Sequence, residues 1–450
     1  MTATAPSPAA SPAGLAADRR AELLALAFGS STAMWGLAYL SRLATPLAPP
    51  WLLFLLLLVC LLGGGWLTGR LGGSAARAAA VGGLASLLNL LILGSVIGGE
   101  APGALRRGAL IWVPASLLLG GLLAAAGAQA ARRRTDAPSA AAPPAGDAAF
   151  AGVAAATTFL LLAAGGLVTS HEAGLAVVDW PNSYGFNMFL YPLSRMTGGI
   201  FYEHAHRLLG SLVGLTSLVL ALHLQFAPRR PLLKRLGWAI FVAVALQGLL
   251  GGLRVTGRFT LSQSAAAMSP STLLALVHGV LGQLCFALLV ALAALASRRW
   301  TAAEPPIARA SADTDRQLGL ALLGAIGVQL ALGALLRHYA RGMFWHVSFA
   351  MLVALLGFAV GARHWGLYGG LPWLRPLGRA LTLAIGLQLL LGTGALVAVS
   401  ATPAPGHIPW WEALLTTAHQ LTGALLLGLA TLIVLWNRRL LRPAAEGDSA

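Results

Sequence analysis

The sequence predicts an all-α polytopic membrane protein of about 12 transmembrane helices, the last eight arranged as two pseudo-symmetric four-helix bundles. Three observations carry this. Hydrophobic residues make up 57% of the 450 and charged residues only 10%, with a mean hydropathy of +0.77. Apolar runs of about 20 residues, the length that crosses roughly 30 Å of hydrocarbon, recur from end to end. The basic residues behind the net charge of +16 sit mainly between those runs. That placement orients membrane helices and argues against nucleic acid as a partner. The alternating pattern of a membrane barrel is absent.

In order along the chain, residues 1–20 are rich in Ala, Ser and Pro. They lack the charged-then-apolar order of a signal peptide and read as a disordered cytoplasmic tail. Four apolar segments follow at 21–41, 50–69, 79–98 and 108–131, a transmembrane region (21–131) to which no chemistry attaches. Arg132, Arg133 and Arg134 open an Ala- and Pro-rich cytoplasmic linker, 132–148, the main composition break. Eight further spans lie at 149–170, 204–226, 236–255, 271–296, 316–337, 343–362, 378–399 and 413–436. They divide into an N-terminal bundle (149–299), a cytoplasmic linker (300–315), a C-terminal bundle (316–437) and a cytoplasmic tail (438–450). Arginines and Lys234 occupy alternate turns of the chain, which puts those turns and both termini in the cytoplasm. The longest outward loop, 171–203, carries Glu172, Asp179 and aromatic residues. Cys60 and Cys285 lie in separate spans and no CxxC occurs, which removes support for a zinc site, covalent c-type heme attachment or a disulfide scaffold.

The densest chemistry is the run Glu203-His204-Ala205-His206-Arg207 at the head of an apolar helix. Ionisable groups at membrane depth cost roughly 2.5–3.5 kcal/mol each on insertion scales, so they usually mark function. Glu203 and His206 are three apart and share a helix face. Glu203 suits proton relay or orientation of bound water. It equally suits a helix N-terminal acid paired with Arg207.

The eight-span part repeats itself. The segment from Leu273 to Leu284 aligns with Leu414 to Leu425 as LLxxxHxxxGxL, and Leu246-Gln247 to Gly251 echoes Leu387-Gln388 to Gly392, with Val328-Gln329 to Gly333 close to both. This argues for a duplicated four-helix unit. The repeat sorts the ten histidines: His206 and His278 head the second and fourth helices of the first unit, His346 and His419 those of the second. Two imidazoles on facing helices supply the axial nitrogens of a bis-histidine heme iron, and an apolar bundle supplies the slot for the macrocycle. Gly210, Gly282 and Gly423, one turn on, would let a flat ring approach the backbone. His171, His204, His223, His338, His364 and His407 lie at span ends or in loops and read as structural, although His204 competes with His206 by proximity. Arg207, Arg254, Arg258 and Arg337 near the outer ends suit propionate pairing or interfacial snorkelling. Glu203 has no counterpart ahead of His346.

These residues resemble the heme A synthase family. The ExxHR motif is met by Glu203, His206 and Arg207, and GLxxxDWP by Gly174, Leu175, Asp179, Trp180 and Pro181; the later histidines match His278, His346 and His419. The resemblance covers about 149–437. It implies that His206 and His278, with Arg207, bind the substrate heme O, that His346 and His419 bind a resident heme B, and that Glu203 serves catalysis. The implied reaction is oxygen-dependent oxidation of a porphyrin methyl to a formyl group, giving heme A for terminal oxidase assembly. The implied setting is the bacterial plasma (inner) membrane, beside a prenyltransferase that supplies heme O. The chain departs from the family in two ways: loop 171–203 lacks the cysteine pair of many bacterial members, and the four leading spans lie outside the pattern. Two rival readings are a b-type cytochrome that only transfers electrons and a twelve-span transporter. Glu203 beside one histidine pair only favours the enzyme over the cytochrome. Charges crowded toward one membrane face disfavour the transporter.

Overall fold

The computed structural model describes residues 11–43, 49–92, 94, 97–133, 145–257, 269–302, 305–371, 373–402 and 408–444. The protein is an all-α polytopic membrane protein: twelve of its helices are long and apolar enough to cross a bilayer. Four come first: α1 (Pro12–Leu43), α2 (Pro50–Arg70), α3 (Ala75–Ile92) and α4 (Ala109–Arg133). Next are α5 (Gly146–Ser170), α6 (Gly198–Phe226), α7 (Pro231–Thr256) and α8 (Thr272–Ala296), with a short helix α9 (Arg298–Thr301) after them. The last group is α10 (Ala312–Tyr339), α11 (Met343–Leu367), α12 (Leu374–Ala401) and α13 (Trp410–Leu440).

Helix ends follow local chemistry. Pro50 and Pro231 open α2 and α7, where a missing N–H costs nothing. The Ser271 hydroxyl caps α8 by accepting from the Leu274 N–H at 3.2 Å. Gly257 closes α7 in the left-handed region at φ 67°.

Helices α5 to α8 pack as a ring of neighbours, as do α10 to α13, and the two rings meet through α5, α8, α10 and α13. Matched polar contacts lie at the ends remote from loop 171–197. Asp147 of α5 meets His223 Nε2 of α6 at 2.9 Å, and Asp315 of α10 meets Arg363 Nε of α11 at 2.7 Å. Each bundle has its own apolar core.

The leading four helices are not a separate body. Phe28, Trp35 and Tyr39 of α1 join the core of α5 and α6. Phe28 meets Phe150 at a ring separation of 5.3 Å, and Tyr39 stacks on Phe201 at 5.3 Å and 20°. Within this region α2, α3 and α4 approach through small residues: a Cβ on Gly82 would collide with the Gly120 carbonyl, and one on Gly65 with the Ala124 carbonyl.

Two expectations need correction. Helix α1 begins at Pro12, so residues 12–20, expected in a disordered tail, are helical. Ala17 there is fully buried, and Asp18 pairs with Arg229 of the α6–α7 turn. Part of the linker 300–315 and of the tail 438–450 is also ordered as two short parallel strands. In these, β3 (Ile307–Arg309) pairs with β4 (Leu441–Pro443), Ile307 opposite Leu441.

Gly82→Leu is expected to force α3 from α4 and to destabilise the leading region by about 1–3 kcal/mol. A lowered thermal midpoint of the purified protein checks this.

Candidate functional site

The structure brings His206 to His278 and His346 to His419, one pair inside each bundle. Ring centroids are 6.2 Å apart in the first pair and 6.3 Å in the second, with planes at 78° and 82°. Two imidazoles that share one axial metal, each bonded at about 2.0–2.1 Å, place their ring centroids roughly 6 Å apart. The spacing fits an intervening metal ion in both bundles, and without one the rings meet edge to face.

What places the rings is a glycine on the preceding helix, four times over. A Cβ on Gly165, Gly251, Gly333 or Gly392 would come within 3.0, 3.4, 3.1 and 2.8 Å of Cε1 of His206, His278, His346 and His419 respectively. At each glycine the Cε1 edge of the ring faces the helix behind it, with Nδ1 the nearer ring nitrogen. The glycines expected to serve this purpose do less: Gly282 and Gly423 make ordinary contacts with Leu162 and Leu330. Gly210, one turn from His206, has no atom within 4 Å of its Cβ position, which leaves room for a flat ligand on that face.

Four residues before three of these glycines stands a glutamine. The Gln329 amide nitrogen lies 3.1 Å from Nδ1 of His346 and 3.0 Å from its carbonyl oxygen. The Gln247 amide, turned to satisfy its neighbours, lies 2.7 Å from Nδ1 of His278 and accepts from Gly282 N at 3.1 Å. A metal on Nε2 requires the proton on Nδ1, to which the amide then presents its oxygen; an amide can offer either group by turning over, and such partners orient metal-binding imidazoles. Leu161 occupies this place ahead of Gly165, and His206 and His419 lie against the backbone of Leu161 and Gln388 without a side-chain partner on Nδ1. Sequence reasoning used the LQxxxG echoes only as evidence of duplication; their spacing was the signal for these ring supports.

The loop 171–197 folds over the mouth of the N-terminal bundle, whereas only residues 340–342 join α10 to α11. Its tip is a hairpin of β1 (Asn182–Ser183) and β2 (Phe186–Asn187). Tyr184 and Gly185 form its turn at φ 51° and 78°, the positive values a two-residue hairpin turn of this kind requires. Asp179 holds that turn by accepting from Tyr184 N at 2.7 Å and Gly185 N at 2.8 Å. Trp180 lies on Gly252 of α7, where any Cβ would collide with its ring. Burial first, then the Glu203 and Asp179 carboxylates, push the Tyr184 hydroxyl above its ordinary pKa.

Glu203 and Arg207 fasten this loop. The buried Glu203 accepts from Val177 N at 2.9 Å and from Arg207 Nη2 at 2.8 Å. Arg207 also donates to the carbonyls of Asp179, Asn182 and Val177 at 2.7, 3.0 and 3.0 Å. The pairing with Arg207, one of two alternatives open for Glu203, is therefore present. Arg207, expected to bind the heme, has its guanidinium committed to loop backbone instead.

The remaining histidines are held elsewhere. His204 is buried against the Ser183 hydroxyl at 3.0 Å, on the loop side, so it does not compete with His206. His171 stacks on Tyr202 at 4.2 Å, His364 contacts Asn437 at 2.8 Å, and His338 lies close to Arg254 and Arg337. His407 and Arg258 fall outside the described residues.

Fold and site together define a polytopic helical membrane protein with two histidine-pair bundles, one of them lidded. Residues 148–347 match the COX15-CtaA family, described as cytochrome oxidase assembly protein. The match runs from the start of α5 into α11 and holds Glu203, His206, Arg207, His278 and His346; α1–α4 and His419 lie beyond it. No curated protein matches the chain.

Arg207→Ala should release the loop from α6, at a cost of about 3–5 kcal/mol for breaking a buried pair. Faster protease cleavage within 177–187, with α-helical circular dichroism preserved, is the expected result.

Proposed function

We propose that this protein oxidises the porphyrin methyl group of heme O to the formyl group of heme A, holding the substrate between His206 and His278 and a resident heme B between His346 and His419. The observation that carries this is the asymmetry between two otherwise matched pairs: only the first lies under a folded loop fastened by a buried carboxylate. A pure electron carrier needs no such difference.

The donor set fits a heme in both bundles: two imidazoles at metal-spanning distance, glycine-backed rings and apolar walls. When bound, heme iron supplies the redox chemistry for an oxygen-dependent oxidation through hydroxylated stages. The chain supplies the rest. Nε2 of each histidine is the ligating nitrogen, and Gln247 and Gln329 hold His278 and His346 in position. Loop 171–197 limits water at the substrate bundle. Glu203 has one hydrogen bond on each carboxylate oxygen, and each oxygen retains a lone pair to accept a proton from substrate or ordered water near His206. Arg207 keeps that carboxylate in place.

Its setting in this reading is the bacterial plasma membrane, with arginine-rich turns and both termini in the cytoplasm. A prenyltransferase supplies heme O, and terminal oxidase assembly takes up heme A.

Heme extraction from protein co-expressed with a heme O-making prenyltransferase tests the reading. It predicts heme B together with heme O, its alcohol or heme A; heme B alone under aerobic conditions would instead indicate an electron-transfer cytochrome. Glu203→Gln should retain both hemes and lower formyl formation about 10²- to 10⁴-fold, the range for general acid–base groups. Undiminished turnover would remove Glu203 from the chemistry.

A further inference from the structure

We propose that Arg254 is the anion-binding residue of the N-terminal bundle, receiving a propionate carboxylate of the bound tetrapyrrole and so setting its rotation between His206 and His278. This rests on the reading of that bundle as a heme site. Arg254 stands on α7 one turn beyond Gly251, which faces the His278 ring, and two residues beyond Gly252, which carries Trp180. Its guanidinium lies against Gly174, where a Cβ would collide with it, and Nη1 donates to the Gly174 carbonyl at 2.9 Å. That contact gives the glycine of the GLxxxDWP run a physical reason. It is the one side-chain hydrogen bond of Arg254 among the described residues, and no carboxylate pairs with it there. Its charge reaches both imidazoles of the pair.

A guanidinium has five N–H donors in a planar fork. A half-buried one with a single carbonyl partner at a membrane-protein site is costly unless an anion completes it. The nearby acid is already committed, since Glu203 is bound by Arg207. The other arginines near the mouth are also engaged: Arg207 in four hydrogen bonds, and Arg337 with the Thr169 carbonyl, near Glu172 and Glu412. Hemes B, O and A all carry two propionates, and arginine binds carboxylate through two parallel bonds. In the C-terminal bundle the position three residues beyond Gly392 is the buried Ala395. At this repeat position the lidded bundle carries a cation and the other does not, which suits a substrate that must be held in one orientation.

The test uses full-length protein carrying His346→Ala and His419→Ala, so that only the N-terminal pair binds, titrated with ferric protoporphyrin IX and with its dimethyl ester. The parent should bind the free acid with a low-spin bis-histidine spectrum and the ester roughly ten- to hundredfold more weakly. Arg254→Gln should weaken the free acid by a similar factor and leave the ester unchanged, and Arg254→Lys should recover part of the loss. Equal binding of acid by parent and Arg254→Gln, with the low-spin spectrum intact, overturns the propionate role and leaves the heme site standing. Loss of ester binding as well would make Arg254 structural and also overturn it. A parent that takes up no low-spin heme at all removes the site reading itself.

Discussion

The geometry of this protein depends on one constraint, the approach of a histidine ring to a glycine on the neighbouring helix. In each bundle two such contacts set the imidazoles 6.2 or 6.3 Å apart. A side chain at Gly165, Gly251, Gly333 or Gly392 would push its ring off the helix behind it. Protein interiors are close-packed and yield little to such changes. The glycines therefore act as the gauge of the pair, and the glutamines one turn away hold the ring edge at His278 and His346. The pairing is thus built into helix packing and does not rely on the loops.

The loops supply the difference between the bundles. Duplication would yield two equal sites, but the first carries loop 171–197 where the second carries residues 340–342. Every strong polar contact of Glu203 and Arg207 serves that loop. The ExxHR pattern thus joins two tasks on one helical turn. His206 faces the bundle interior, while Glu203 and Arg207 hold the cover over it. The leading helices add a flank: α1 runs along α5 and shares its core, and Asp18 ties to Arg229 beside Asp147.

Much of this was legible in the sequence because membrane thickness fixes helix length and duplication repeats spacing. Apart from the start of α1, the twelve spans were readable to within several residues at their ends, and His206, His278, His346 and His419 emerged from the repeat alone. What escaped depended on partners distant in the chain. The early start of α1 rests on Arg229, more than two hundred positions away. Arg207 looked free for a heme because the carbonyls that receive it belong to a loop 25 to 30 residues earlier. Gly210, Gly282 and Gly423 were chosen because they share a helix with the histidines. The glycines that meet the rings sit on the preceding helices, three of them in the glutamine–glycine echoes that also mark the duplication.

The claim that the four histidines work as two separate pairs is tested most directly by low-spin ferric electron paramagnetic resonance of the heme-loaded protein and its four single His→Ala variants. The account predicts two low-spin signals. Replacing His206 or His278 should erase one and the same signal, and replacing His346 or His419 should erase the other, each change sparing its counterpart. A variant in one bundle that erased the signal of the other, or two members of one pair that affected different signals, would contradict it.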